Sequence, residues 1–245
     1  MMLFLILKSL AVGRMSMGTD DLFKKRRAKL QERKIESKTP KPNSFLIVTE
    51  GTKTEPFYFD GLANYINRLH QSSSIQLKQP TIETYGAGKN TESLVNEASR
   101  IVARSPIMYE QVWVVFDKDD FEQFDEAITL AEEKDFHVGW SNQSFEYWIY
   151  LHFNYSDSAL HRSLWCEKLD QIFKERNISD EGYKKNLPNI FDIATQHGSL
   201  KYAVGNAIRV ERSYTDRMLP SEKDPCTTVY KLIQELKPYL EPLLK

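Results

Sequence analysis

Three acidic residues sit where two apolar runs end. Glu50 follows Phe45-Leu46-Ile47-Val48 in the segment IVTEGTKTEP, and Asp117 and Asp119 follow Val112-Trp113-Val114-Val115-Phe116 in VVFDKDDF. An Asp-x-Asp in extended chain puts both carboxylates on one face. Carboxylates gathered closely raise one another's pKa, and a hard divalent cation such as Mg2+ or Mn2+, which prefers oxygen ligands, relieves the repulsion. The chemistry open to such a set is metal-assisted: charge neutralisation and the activation of a water, with one ion or two. A lone Asp-x-Asp is common in surface turns. A Glu-Gly turn ending one strand together with an Asp-x-Asp ending a later one is more specific. Asp120 extends the acidic run and reads as an acid favoured at a helix N-terminus.

Further candidates flank these three. Glu146, in SNQSFEYWIYLHF, reads either as one more metal ligand or as an acid in a first helical turn, and Asn142 reads as that helix's cap in preference to a substrate contact. Gly86, Gly88 and Lys89 form a loop whose backbone N–H groups could hold a phosphate. Lys89 could neutralise charge on a scissile phosphate; the plainer reading is a tight turn. Glu55 fits a first-turn acid or a site residue. Lys184, Lys185, Lys201, Arg209 and Arg212 could touch a nucleic-acid backbone or lie solvated. His152 reads as a core, hydrogen-bonding histidine, and His161 and His197 have no partners at metal-ligand spacing.

What must position these groups is an alternation of strands and helices. The run 45–48 is short and wholly apolar, as in a strand buried on both faces. A helix follows over 54–69, with Phe57, Leu62, Tyr65, Ile66 and Leu69 near helical spacing. A strand at 81–85, a helix from a cap at Asn90 or Thr91 to Arg104, the strand 112–116, a helix over 121–134 and a strand over 136–140 complete the unit. Such alternation predicts an α/β fold with a mostly parallel sheet flanked by helices. In such sheets functional groups collect at the carboxyl ends of the strands, so Glu50, Asp117 and Asp119 converge if their strands are neighbours. Beyond about residue 143 the pattern is helical: 143–153, 159–176, 188–196, 199–213 and 225–240. The expected organisation is therefore an arm over 1–43, an α/β domain over 44–155 and a helical region over 156–245 packed on it.

Composition narrows the class. The chain has 245 residues with 33 Lys+Arg against 34 Asp+Glu, and 41% of it is hydrophobic. Its aromatics (Trp 4, Tyr 12, Phe 13) are too many for a chain solvated throughout. No apolar run reaches the roughly 18 residues of a membrane helix. Two cysteines, Cys166 and Cys226, exclude a cysteine-only zinc site and suit a reducing cytoplasm. From Phe23 to Lys41 the sequence carries nine Lys or Arg and two Glu, a basic arm of the kind that attracts phosphate backbones. The rest is consequently acidic. TPKPNS, residues 39–44, reads as a linker ending the arm. The apolar start MMLFLILKSLAVG lacks a preceding positive segment and is broken by Lys8, so it does not read as a signal peptide. Met15 and Met17 are later possible starts, and residues 1–16 are set outside the fold.

Several motifs together resemble the RloB-like family of restriction-locus and abortive-infection proteins. They are IVTEGTKTEPFYFDGL at 47–62, GAGKNTESLVNEA at 86–98, VWVVFDKDDF at 112–121, SNQSFEYWIYLHF at 141–153 and DPCTTVYKLIQEL at 224–236. The Glu-Gly turn and the Asp-x-Asp look like the Toprim domain of topoisomerases, bacterial primases and OLD-type nucleases. The resemblance implies a Toprim-like fold and a Mg2+- or Mn2+-dependent nuclease acting on DNA or RNA, tRNA included, as a toxic effector in anti-phage defence. Glu50 matches the Toprim glutamate that serves as general acid/base or ligand, and Asp117 and Asp119 match the metal-binding aspartates. It also implies an ABC- or OLD-type ATPase partner encoded alongside. GAGKNTE lacks the spacing of a nucleotide-binding loop, so ATP dependence would come from that partner. The rival readings are a non-catalytic Toprim-like module that binds nucleic acid or a partner, and a simple nucleic-acid binder led by the basic arm.

Overall fold

The computed structural model describes residues 24, 25, 27, 38–71, 81–88, 91–119 and 122–245. The chain divides into two units, residues 1–38 and Thr39–Lys245. In the first, residues 24, 25 and 27 are helical and exposed; the other expectations for the arm lie outside the described residues. The sheet and the helices around it make up the second unit.

Five strands form one sheet: β1 (Thr39–Thr49), β2 (Thr81–Gly86), β3 (Ile107–Asp117), β4 (His137–Asn142) and β5 (Cys226–Thr227), in the order β2-β1-β3-β4-β5. All neighbours are parallel except β4 and β5. Between them run α1 (Thr54–Gln71), α2 (Thr91–Arg104) and α3 (Phe124–Glu132), and α4 (Phe145–Tyr150), α5 (Arg162–Glu175), α6 (Ile190–Gln196) and α7 (Leu200–Glu211) precede β5. Two short helices, α8 (Val229–Glu235) and α9 (Lys237–Leu244), end the chain. This is the expected mostly parallel α/β sheet flanked by helices.

The wholly apolar runs follow from burial on both faces. Alternate residues of β1 and β3 enter different cores. Phe45, Ile47, Trp113 and Val115 pack with Tyr58, Phe59, Leu62 and Ile66 of α1 and with the helices from α4 onward. Leu46, Val48, Val112, Val114 and Phe116 pack with Leu94, Val95 and Ala98 of α2 and with Phe124, Ala127, Ile128 and Ala131 of α3. The helical region thus supplies most of one face's cover. Gly61 of α1 lets α6 come close, since a Cβ there would stand 2.6 Å from that of Phe191.

Two expectations are corrected. Residues 39–44 are not a linker but the first half of β1. Thr39, Pro40 and Lys41 pair with Ile107, Met108 and Tyr109, and β2 joins β1 only from Ser44 onward. Up to that point β1 pairs on one side, where a proline's missing donor is tolerated. A register shift between Lys41 and Phe45, with Asn43 at φ 55°, absorbs the irregularity. Residues 225–240 are likewise not one helix. Cys226 and Thr227 add the antiparallel edge, and the helical stretch after them breaks at Leu236, with Pro238 in the first turn of α9.

Candidate functional site

Glu50 and Asp117 are neighbours because β1 and β3 are. Thr49 pairs with Val115, and the Glu50 N–H donates to the Val115 carbonyl at 2.9 Å. The Glu50 carboxylate turns back onto β3, where Oε2 accepts the Asp117 N–H at 3.2 Å. Asp117 in turn holds α4: its Oδ2 accepts the Phe145 N–H at 3.0 Å. A charged acceptor at an N-terminal helical amide suits the helix dipole. Its other oxygen, Oδ1, is buried with no hydrogen-bond partner. Burial first, then the charges of Glu55 and Glu146, hold the Asp117 carboxyl well above the ordinary aspartate range; the Phe145 amide opposes them and Asp119 adds to them.

Two further glutamates close round this group. Glu55, in the first turn of α1, lies with its carboxylate over Gly51, where a Cβ would stand 2.1 Å from Oε2. Burial raises its pKa, and the charge of Glu146 adds to that. Glu146, in the first turn of α4, is 3% exposed, pairs with Lys185 Nζ at 3.2 Å and accepts the Tyr183 hydroxyl at 3.3 Å. Half-burial works against the Lys185 ammonium, but Glu146 and neighbouring groups outweigh it, so its pKa is raised. The Lys185 carbonyl accepts the Thr54 hydroxyl, which ties this segment to the start of α1.

Asp119 is arranged otherwise. It stands at φ 41°, a left-handed conformation that Asp tolerates, with its N–H on the Gln143 carbonyl at 3.2 Å. Its Oδ1 pairs with Arg162 Nη1 at 2.7 Å, the two side chains being 44% and 38% exposed. Gln143 also accepts the Arg162 N–H through Oε1 at 3.0 Å and donates through Nε2 to Asp224 at 3.2 Å. One residue therefore fixes the main chain of both ion-pair partners.

These groups line one cleft of about 410 Å³. Five carboxylates (Glu50, Glu55, Asp117, Asp119, Glu146) face three cations (Lys53, Arg162, Lys185) across it. Ser144, 1% exposed and also on the wall, has a hydroxyl with no partner. Surplus acid in a desolvated cleft must bind protons or a cation. The oxygen-only donors and the unpartnered Asp117 Oδ1 suit a hard divalent ion. In this arrangement, however, no three His, Cys, Asp or Glu side chains among the described residues are disposed to hold a metal ion. Glu50 is turned onto a β3 amide and Asp119 onto Arg162.

The structure thus brings Glu50, Asp117, Asp119 and Glu146 together, with Glu55 and Lys185 joining them. Lys89, Asn90 and Asp120 lie outside the described residues. In the loop before Lys89 the Ala87 N–H and Gly88 N–H donate to the carbonyls of Thr49 and Glu50, which fits the plainer reading of a tight turn better than a phosphate-holding loop. Asn142 does not cap α4 either. Its Nδ2 donates to the Ser221 carbonyl at 3.1 Å, and Asp117 takes the amide a cap would take. His152 is buried, between Tyr58 Oη at 3.0 Å and the Trp148 carbonyl at 3.1 Å, and burial lowers its pKa to about 4. His161 caps α5 by accepting the Ser163 N–H. Lys184 pairs with exposed Glu181, and Arg209 stacks over Tyr155 at 4.1 Å, both away from the cleft wall. Arg162, Tyr183, Gln143 and Ser144 were not singled out from sequence. Only Ser144 carried a signal, two residues before an acid at the start of an apolar helical run.

Fold and cleft define an α/β protein with an acidic pocket at the carboxyl ends of a parallel sheet, where such folds place their functional sites. The family model described as RloB-like protein matches residues 45–236, most of the chain, and the chain belongs to that family. No curated protein and no solved structure matches it. No helix among the described residues is long and apolar enough to cross a membrane.

Proposed function

We propose that this protein is a divalent-metal-dependent nuclease with a Toprim-like site, hydrolysing phosphodiesters of DNA or RNA as the toxic effector of an anti-phage system governed by an ATPase partner. The defence role and the partner rest on the family resemblance. The chemistry rests on Asp117, a buried carboxylate with one oxygen unpartnered and three other acids raising its proton affinity.

Asp117, Asp119 and Glu50 would hold Mg2+ or Mn2+, which when bound neutralises phosphate charge and lowers the pKa of an attacking water. The chain supplies the rest. Glu50, which accepts the Asp117 amide, would in its alternative role move a proton as general acid or base instead of holding the ion. Glu55 and Glu146 keep the acid field around Asp117 strong. Lys53 and Lys185 offset the charge of a polyanion entering an otherwise acidic cleft.

The test is cleavage of plasmid DNA and of total tRNA by the full chain with Mg2+, Mn2+ or EDTA. Metal-dependent cleavage, lost by roughly 10²–10³-fold or more in Asp117→Asn and Glu50→Gln proteins that remain folded, is the expected result. A folded protein that cleaves neither substrate, even with its partner ATPase added, would overturn this reading in favour of a binding module.

A further inference from the structure

We propose that Arg162 is an exchangeable clamp: its guanidinium holds Asp119 until a divalent cation takes that carboxylate, and then passes to a phosphate oxygen of the nucleic-acid backbone in the same cleft. The inference rests on the reading above and adds to it a substrate-contacting residue and the order in which the site assembles.

The two aspartates of the Asp-x-Asp differ in what a cation must displace. Asp117 has an oxygen with no partner. Asp119 has its Oδ1 on Arg162 at 2.7 Å. A site using both carboxylates is therefore blocked at Asp119 alone, and by a side chain of opposite charge that itself lines the cleft.

That block is weak by design of its surroundings. Both partners are more than a third exposed, and an ion pair in such a setting is weakly held. The Lys185–Glu146 pair differs because its acid is buried, so separating it would strand a desolvated charge. Of these two pairs among the described residues, the Arg162–Asp119 contact costs less to open.

The backbone arrangement fits a swinging tip on a fixed base. Gln143 holds the Asp119 N–H with its carbonyl and the Arg162 N–H with its side chain, so the two main-chain segments stay in place when the side chains part. Arg162 opens α5 and reaches the cleft with a long side chain. Once released, its planar fork of donors matches two oxygens of a phosphate better than an ammonium would.

Competition makes the two ligands respond in opposite directions. Calorimetric titration of the full chain with Mn2+, without nucleic acid, should show binding roughly two- to five-fold tighter in Arg162→Ala than in wild type, as loss of a half-exposed ion pair allows. Fluorescence anisotropy with labelled DNA and labelled tRNA in Ca2+ should show the same variant binding about ten-fold more weakly. Arg162→Lys, which keeps the charge but not the fork, should hold Mn2+ near wild-type affinity and recover only part of the nucleic-acid binding. Arg162→Gln, matched in polarity, carries the same test if the alanine variant melts below assay temperature. A merely structural arginine would weaken both ligands together. Mn2+ affinity unchanged or weaker in a folded Arg162→Ala protein, or undiminished nucleic-acid binding, overturns the exchange and leaves the nuclease reading standing. Absence of any Mn2+ binding by wild type overturns both.

Discussion

The wall of the cleft that comes from the sheet is acidic and fixed by main-chain bonds, whereas the facing wall, from α5 and the segment at Tyr183–Lys185, is largely cationic and half exposed. Glu50 and Asp117 hold each other's strand ends, and Asp117 also caps α4. Arg162 and Lys185 reach in on long side chains, 38% and 60% exposed. Burial of Glu55, Glu146 and the Asp117 Oδ1 is what separates the two walls, Asp119 being as exposed as the Arg162 it meets. It makes the acid wall costly to charge and responsive to protons or cations, and leaves the cationic wall cheap to rearrange. Experiments that shift the charge on one wall at a time expose that difference.

Cation binding should give the largest response, and pH should set its size. Asp117 and Glu55 hold protons more tightly folded than unfolded. Their contribution to stability is full below the ordinary values of 3.8 and 4.5 and is lost as pH rises through the raised folded values. The protein free of divalent ions should therefore lose stability from these two groups above the ordinary carboxylate range. Added Mg2+ should restore it, because a ligand bound only by the folded state stabilises by mass action. At roughly 100 times the dissociation constant the gain is about 2.7 kcal/mol, or about 5–10 °C in Tm for a domain of this size. Thermal melts at pH 5 and pH 8 should show a larger Mg2+ shift at pH 8, and Asp117→Asn should flatten that difference. An equal shift at both pH values would mean the ion binds elsewhere.

Next in size is the loss of a single cation from the facing wall. Lys185→Ala leaves buried Glu146 with only the Tyr183 hydroxyl, and urea denaturation should show a loss of about 1–3 kcal/mol. Lys184→Ala removes an exposed partner of Glu181 and should leave the urea midpoint close to the wild-type value. Equal losses would erase the distinction drawn between buried and exposed acids.

The same contrast explains what could be read in the sequence. The acid wall was legible because its residues end apolar runs. A run such as VWVVF, short and rich in β-branched residues, fits a strand buried on both faces, and parallel strands put their next residues at one edge. The paired wall was not, because Arg162 and Tyr183 meet the acids through the packing of α5 and its following loop, which no local pattern encodes. Gln143 and Ser144 act through backbone and buried hydroxyl positions equally invisible in one dimension. The first half of β1 and the whole of β5 were missed for local reasons. Pro40 and Pro42 read as breakers although β1 at that point is an edge, and Cys226–Thr227 is too short to show alternation. Lys185 was noticed for its charge alone; its role depends on the burial of Glu146.

The smallest change in the fold, and the sharpest test of the acid wall, is Gly51→Ala. A Cβ there would stand 2.1 Å from the Glu55 carboxylate, so something must move. What it meets is the far end of a flexible side chain. The cheap response is for Glu55 to rotate away while β1 and α1 keep their places. Stability should then change by less than about 1 kcal/mol, the desolvated charge beside Asp117 having left as the methyl arrived. The titration of Asp117 should move down toward the ordinary aspartate value as Glu55 withdraws, since Glu55 is the largest charge acting on it. Following the Asp117 carboxyl by NMR across pH in the two proteins measures this directly. A midpoint unchanged in Gly51→Ala would show that Glu55 does not set the field at Asp117, and would leave burial, Glu146 and Asp119 as what makes this carboxylate hold its proton.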